Sequence, residues 1–312
     1  MKTYWITGAR GFIGRHLSRR LASDGYRVAG LGHGIWPAAE AAEWGPAYWL
    51  NGDVSASNLA QMHTDLGKPE GIFHFAGGSS VGAALSNPLE DFKRTVGSTA
   101  DLLEWIRQHC PNAPLIAVSS AAVYGAGHDG LIPEDARLTP YSPYGTHKLM
   151  MEELCRSYAV NFGLSIVLPR LFSVYGPELK KQLLWDTCNK LATQGEAELG
   201  GSGQELRDWT HVSDVVAALV GLLAFADTTA PALNVATGRP VPVREVVAEL
   251  ARVWSPATPP RIKFSGQSRA GDPYSLCADV GRLGALGMAC ATSVSDGVAE
   301  YVKWFHTQKG RA

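Results

Sequence analysis

Apolar and polar positions along the first half of the chain alternate between two periods. Residues 3–7 form a β-branched and aromatic run, and a glycine turn over 8–14 follows. Ile13, Leu17 and Leu21 then recur at helical spacing until Gly25 ends the segment. Further strands are predicted over 26–31, 47–50 and 71–75, with a helix over 57–66. A long helix is predicted from Pro88 to about His109, with Phe92, Val96, Leu102, Leu103 and Ile106 turned inward and Pro111 closing it. Residues 115–119 read as a buried strand, 142–162 as a second long helix and 165–168 as a sixth strand. Strands alternating with helices predict an α/β fold built on a parallel, doubly wound sheet. Beyond about Pro169 the pattern loosens into short segments rich in Pro, Gly and Trp. The expected division is a first domain over 1–169 and a smaller C-terminal α/β lobe over 170–312, with part of 205–235 returning to the first domain.

Composition narrows the class. Of 312 residues 46% are hydrophobic and 18% charged, enough apolar material for a substantial core. Lys and Arg number 28 against 29 Asp and Glu, so no excess of positive charge points to a nucleic-acid partner. The longest apolar run, 215–226, is too short to cross a bilayer. The five cysteines are scattered, with no CxxC pair to suggest a metal site or a disulfide framework. No signal-peptide pattern follows Met1-Lys2. A soluble cytoplasmic protein is expected, without a metal, nucleic-acid or membrane partner.

Two spacings carry chemistry. In Gly8-Ala9-Arg10-Gly11-Phe12-Ile13-Gly14, Gly8 permits a sharp turn, Gly11 close approach of a pyrophosphate, and Gly14 close packing of helix on strand. The phosphates then meet the positive end of a helix. Tyr144 and Lys148 stand four apart at the start of a predicted helix, on one face. A phenol near pKa 10 needs positive charge beside it, from an ammonium or an oxidised nicotinamide, to reach the phenolate. It then exchanges a proton with a carbinol oxygen.

These motifs resemble the extended, nucleotide-sugar-modifying branch of the short-chain dehydrogenase/reductase superfamily, the NAD(P)-dependent epimerase/dehydratase family. The resemblance spans nearly the whole chain. It implies a Rossmann-like fold with a nucleotide-sugar-binding lobe. The dinucleotide would lie on Gly8, Arg10, Gly11, Phe12, Ile13 and Gly14, with His33 at its ribose, Asp53 and Val54 at its adenine, and Phe75, Ala76 and Gly77 along it. Ser120, in Ser119-Ser120-Ala121-Ala122-Val123-Tyr124-Gly125, together with Tyr144 and Lys148 matches the catalytic set, and Lys148 would also hold the nicotinamide ribose. Ser80, Ser120, Ser173, Arg207, Arg269 and Asp272 would contact the sugar nucleotide. Arg207 and Arg269 are assigned to the diphosphate and Asp272 to the ribose. Asp214 is expected to cap the next helix, Tyr124 and Trp209 to pack, and His211 to be structural. Relatives often carry Asn where Thr95 stands, an Asn that helps kink the helix or holds a water. Thr95 either does this through its hydroxyl or has lost the role. Many relatives pair through their two long helices, so a homodimer is expected.

The residues also speak to cofactor and reaction. NAD-preferring relatives have an acid at the end of the second strand, where this chain has Gly32-His33-Gly34. Its absence removes discrimination against a 2′-phosphate, and Arg10 offers that phosphate a positive partner or is a surface charge. The expected cofactor is NADP or NAD, with NADP favoured. Ala121 and Ala122 occupy positions where related 4,6-dehydratases and decarboxylases carry acids, and neither moves a proton. Two hydride-transfer readings remain: a 4-keto-sugar reductase, favoured by the missing acid, and a nucleotide-sugar 4-epimerase. A non-catalytic NADP sensor would have no use for the Tyr–Lys spacing. The base and the sugar of the substrate stay open.

Overall fold

The computed structural model describes residues 1–267 and 273–309. In chain order the first elements are β1 (Thr3–Thr7), α1 (Phe12–Ser23), β2 (Arg27–Gly32), α2 (Ala38–Trp44), β3 (Tyr48–Asn51), α3 (Ala56–Leu66), β4 (Gly71–His74), α4 (Val81–Ser86), α5 (Pro88–Phe92), α6 (Ser98–His109), β5 (Leu115–Ala117), β6 (Ser119–Ser120), α7 (Pro143–Phe162) and β7 (Ile166–Leu171). There follow β8 (Ser173–Tyr175), α8 (Gln182–Gln194), β9 (Ala197–Leu199), β10 (Leu206–His211), α9 (Val212–Leu222), β11 (Ala232–Val235), β12 (Pro240–Pro242), α10 (Val243–Trp254), β13 (Ile262–Phe264), β14 (Ser275–Leu276), α11 (Gly281–Ala285) and α12 (Val294–Lys309). Two compact units result. One comprises Met1–Gly125, Ala136–Leu171 and Val216–Leu233; the other comprises Ala126–Asp135, Phe172–Val215 and the chain from Asn234 onward. Among the described residues no helix is long and apolar enough to cross a membrane.

The first unit is a Rossmann-like sheet in the order β11-β7-β5-β4-β1-β2-β3, with β6 also on β7. The pairs β3–β2, β2–β1, β1–β4, β4–β5, β5–β7 and β6–β7 are parallel. A parallel sheet covered on both faces buries nearly every strand position. Accordingly β4 and β7 are buried throughout. Trp5, Leu59, Leu102, Trp105, Met151 and Ile166 belong to one apolar core.

Strand β7 runs past the expected stop at Pro169. Its register with β5 and β6 (Leu115 on Ile166, Ser119 on Arg170) sets Val118 opposite Pro169, which has no N–H. Val118 itself faces β4, where its N–H continues the parallel ladder by donating to the His74 carbonyl. The expected helix from Pro88 to His109 forms as α5 and α6 joined by a π turn over Lys93–Gly97. Thr95 lies buried in that turn, and its Oγ1 accepts the Gly78 N–H at 2.8 Å. The hydroxyl thus ties the π turn to the loop after β4. Behind it His74 Nδ1 pairs with Thr7 Oγ1 at 2.7 Å and Nε2 with Thr99 Oγ1 at 3.0 Å. Burial, followed by the charge of Lys148, drives the His74 pKa down to about 3, so this ring is neutral.

In the second unit β10 lies between β12 and β14 and also pairs with β8, while β9 pairs with β13. Asp208 is fully buried and accepts from Thr237 N, Thr237 Oγ1 and Gly238 N. Asn234 ties the excursion 126–135 into this unit by donating to the Ile132 and Asp279 carbonyls. Asp214 does not cap α9. It lies inside the first turn and accepts from Thr292 N at 2.8 Å. Trp209 and His211 are buried; His211 Nδ1 lies 2.7 Å from Ser213 Oγ.

Candidate active site

A cavity of about 850 Å³ opens within the first unit. Its floor is the glycine turn, Gly8, Arg10 and Gly11. Gly32 and His33 at the end of β2, Asp53 and Val54 after β3, and Phe75, Ala76 and Gly77 after β4 also line it. Gly8 adopts φ +71°, and a Cβ there would stand 3.1 Å from Ala76 N. A Cβ on Gly14 would stand 2.4 Å from the Gly8 carbonyl oxygen, so only glycine lets α1 start this close to β1. Gly11 is the N-cap of α1, and no side chain caps the helix. An uncapped helix start of this kind offers N–H groups and positive potential to a phosphate. Arg10 Nε is buried and, among the described residues, has no hydrogen-bond partner. These features fit a dinucleotide.

The rim at the end of β2 is built around Trp49 and Arg10 where an acid was absent. Cβ atoms on Gly30 and Gly32 would meet the Trp49 ring at 2.9 and 3.1 Å. The indole N–H donates to the Gly34 carbonyl at 3.1 Å. A Cβ on Gly34 would lie 2.5 Å from Arg10 Nη1. Glu40 faces both cations, at 3.9 Å from Arg10 and 3.4 Å from Arg15. His33 Nε2 lies 3.0 Å from Asp53 Oδ1 on the exposed edge.

Ser120, Tyr144 and Lys148 are not among the residues that line this cavity; Lys148 alone is placed against it, through Gly77. Ser142 caps α7 by accepting the Gly145 N–H, and Pro143 occupies its first turn. This fixes the helix start on which Tyr144 sits. The Ser120 hydroxyl lies near enough to Tyr144 to favour its ionised form. Ser120 Oγ also accepts the Ala122 N–H at 3.2 Å. Lys148 is 5% exposed and donates to the Val118 carbonyl at 2.8 Å, the carbonyl opposite Pro169. A Cβ on Gly77 would lie 3.5 Å from Lys148 Nζ, which places the ammonium beside the cavity wall. Burial lowers the Lys148 pKa to about 8, against the pull of the Asp91 charge. Burial raises that of Tyr144; Ser120 opposes this and the Asp91 charge adds to it.

A buried cluster braces the set from behind. Arg170 Nε and Nη2 donate to the two oxygens of Glu152 at 2.9 and 2.7 Å, and Nη1 donates to Tyr124 Oη at 3.0 Å. Ser119 Oγ donates to Glu152 as well. Burial pushes the Glu152 carboxyl up, but Arg170, Ser119 and Arg156 outweigh it and hold it below its usual range. Glu152 belongs to α7 and Arg170 to β7, so the pair clamps the helix that carries Tyr144 to the strand beside Ser120.

Other sequence candidates fall differently. Phe12, Ile13 and Gly14 begin α1 and do not line the cavity, and Phe12 packs edge-on against His16. Ser80 caps α4, accepting the Ala83 N–H. Ser173 opens β8 in register with Trp209. Arg207 on β10 donates to the Leu206 and Tyr274 carbonyls. Arg269 and Asp272 lie outside the described residues. The sequence reading missed Arg15, Trp49, Lys93 and Arg94 as cavity residues. Gly30 and Gly32, alternate positions of one strand, were the available sign that a large ring lies across β2.

Known proteins share this architecture. The family model of the NAD-dependent epimerase/dehydratase family matches residues 4–236. UDP-glucose 4-epimerase 4 of Oryza sativa subsp. japonica is 31% identical, over 88% of this chain and 82% of its own. The uncharacterized UDP-glucose epimerase YtcB of Bacillus subtilis is 28% identical, with 96% of both chains covered. The solved structure of MoeE5 in complex with UDP-glucuronic acid and NAD is 30% identical with a TM-score of 0.86, covering 98% of this chain and 99% of that one. The chain belongs to the NAD-dependent epimerase/dehydratase family, in the extended short-chain dehydrogenase/reductase superfamily, and is an NAD(P)-dependent enzyme.

Proposed function

We propose that this chain is a UDP-sugar 4-epimerase in which Tyr144 exchanges the proton of the sugar C4 hydroxyl. The observation that carries the reading is Tyr144 and Lys148 on one face of α7, with the Lys148 ammonium beside Gly77 in the wall of a dinucleotide-sized cavity. Bound dinucleotide supplies the hydride acceptor at C4 and, once reduced, the donor. Tyr144 takes the hydroxyl proton as C4 is oxidised and gives it back after the 4-keto sugar has turned its other face. Ser120 donates a hydrogen bond to the reacting oxygen. One phenol serves both halves of this cycle, so no further acid is needed, in keeping with Ala121 and Ala122 beside Ser120.

A 4-keto-sugar reductase would use the same side chains. The reductase preference drawn from the missing acid yields to the epimerase reading because the rice and Bacillus relatives bear epimerase names. UDP as the nucleotide rests on the same relatives and on the MoeE5 complex. The cofactor reading keeps NADP: the Arg10 guanidinium over Gly34 and the lack of an acid on β2 leave room for a 2′-phosphate. Ser173, Arg207, Arg269 and Asp272 remain the proposed sugar-nucleotide contacts. A homodimer through the two long helices is part of the proposal, supported by exposed Leu89 on α5 and Met150 and Val160 on α7.

Incubation with UDP-glucose, UDP-galactose and UDP-glucuronic acid should give 4-epimers without net change in nicotinamide absorbance. Tyr144→Phe should lower turnover by roughly 10²–10⁴-fold while still binding dinucleotide. Stoichiometric NADPH consumption on a 4-keto sugar without epimerisation would overturn the reading. Parallel NAD and NADP titrations test the cofactor, and binding of NAD alone sinks the NADP part.

A further inference from the structure

Asp91 sits on α5, outside every residue assigned above, and its side chain is 4% exposed. Its Oδ2 lies 2.6 Å from Nδ1 of His147, whose side chain is 12% exposed. Its Oδ1 rests over Gly78, where a Cβ would come within 1.7 Å of that oxygen. Gly78 in turn gives its N–H to Thr95 in the π turn. The carboxylate is thereby lodged between α7 and the loop after β4. His147 stands on α7 between Tyr144 and Lys148, so the residue that grips Asp91 shares one helical turn with both. The Phe92 ring packs edge-on against His147 and closes the other side.

A buried carboxylate with this placement does more than tie two helices together. Removing an ammonium from water is expensive, and a nearby negative charge is what lets it stay ionised. Burial depresses Lys148, and Asp91 heads the groups that pull it back, ahead of Cys155 and Glu152. His74, on the other side, is neutral and adds no charge. The same carboxylate opposes ionisation of Tyr144.

We propose that Asp91, oriented by His147, is a positioning residue that keeps Lys148 an ammonium while Tyr144 exchanges its proton. The inference rests on the assignment of Tyr144 and Lys148 under the proposed function. Removal of the Asp91 charge lowers the proton affinity of both neighbours. Turnover needs Tyr144 deprotonated and Lys148 protonated, so the two limbs of the kcat pH profile are set by these two groups together. Both limbs therefore move to lower pH, in the same direction.

The test is Asp91→Asn, which preserves shape, with His147→Gln, which preserves an N–H donor to Asp91. In Asp91→Asn both limbs should move acidward by about one pH unit. His147→Gln should keep the wild-type profile. A purely structural pair would lower turnover at every pH and leave the limbs in place, and that result overturns the proposal. A second measurement needs no sugar: the stability of Asp91→Asn and wild type against pH. The rise in stability from Lys148 deprotonation should begin at lower pH in the variant even if the substrate proves not to be a UDP-sugar. If it begins at the same pH, the proposal fails while the epimerase reading stands.

Discussion

Lys148 makes a stability prediction that follows from its burial. Its pKa falls from 10.5 to about 8 because its ammonium is desolvated, the Asp91 charge restoring part of the loss. At ~1.4 kcal/mol per pH unit, housing that ammonium costs the fold roughly 3 kcal/mol. Lys148→Met removes the cost but strips the Val118 carbonyl of its donor, a loss of about 1–3 kcal/mol. At pH 7 the variant should therefore equal or exceed wild type in stability by up to about 2 kcal/mol, although its turnover is lost. The pH dependence is sharper. The folded pKa is the lower one, so between about pH 8 and 10.5 the unfolded chain binds more protons and wild-type stability rises with pH. From pH 7 to 9.5 wild type should gain about 2 kcal/mol on Lys148→Met. His74 and Cys155, which feel the Lys148 charge, lie at about 3 and about 12, outside this window, and the remaining titrations are common to both proteins and cancel. Urea midpoints at several pH values measure this gap. A gap that stays constant across the range, or a variant several kcal/mol less stable at pH 7, refutes the account of Lys148 as a costly buried cation.

Two further outcomes test the frame around the site. Gly14→Ala should cost about 1–3 kcal/mol, because its Cβ meets immobile backbone at 2.4 Å, and should weaken dinucleotide binding at least ~10-fold. Gly25→Ala serves as comparison: it meets nothing within 4 Å and pays only the left-handed backbone cost of about 1–2 kcal/mol, with binding unchanged. Glu152→Ala should cost about 3–5 kcal/mol in urea denaturation, since it strands Arg170 at 1% exposure. Replacing Glu152 and Arg170 together by Met should cost less than that single change.

What local sequence determines about this protein is its periodicity and its close-range geometry. The glycine turn, the Ser142 cap and the four-residue step from Tyr144 to Lys148 each span a few residues, so strand, turn and helix preferences suffice to place them. Other features depend on partners far along the chain. The π turn containing Thr95 is tied to the loop after β4 by an N–H from Gly78, and Lys148 reaches the Val118 carbonyl thirty residues away. Trp49 occupies a gap left by two glycines on another strand, and Asp91 reaches α7 only through His147. Burial likewise sets the charge balance at Lys148, Tyr144 and Glu152. Sequence supplies the identities of these groups, but desolvation and the neighbours that oppose it exist only once the sheet and its helices have closed around them.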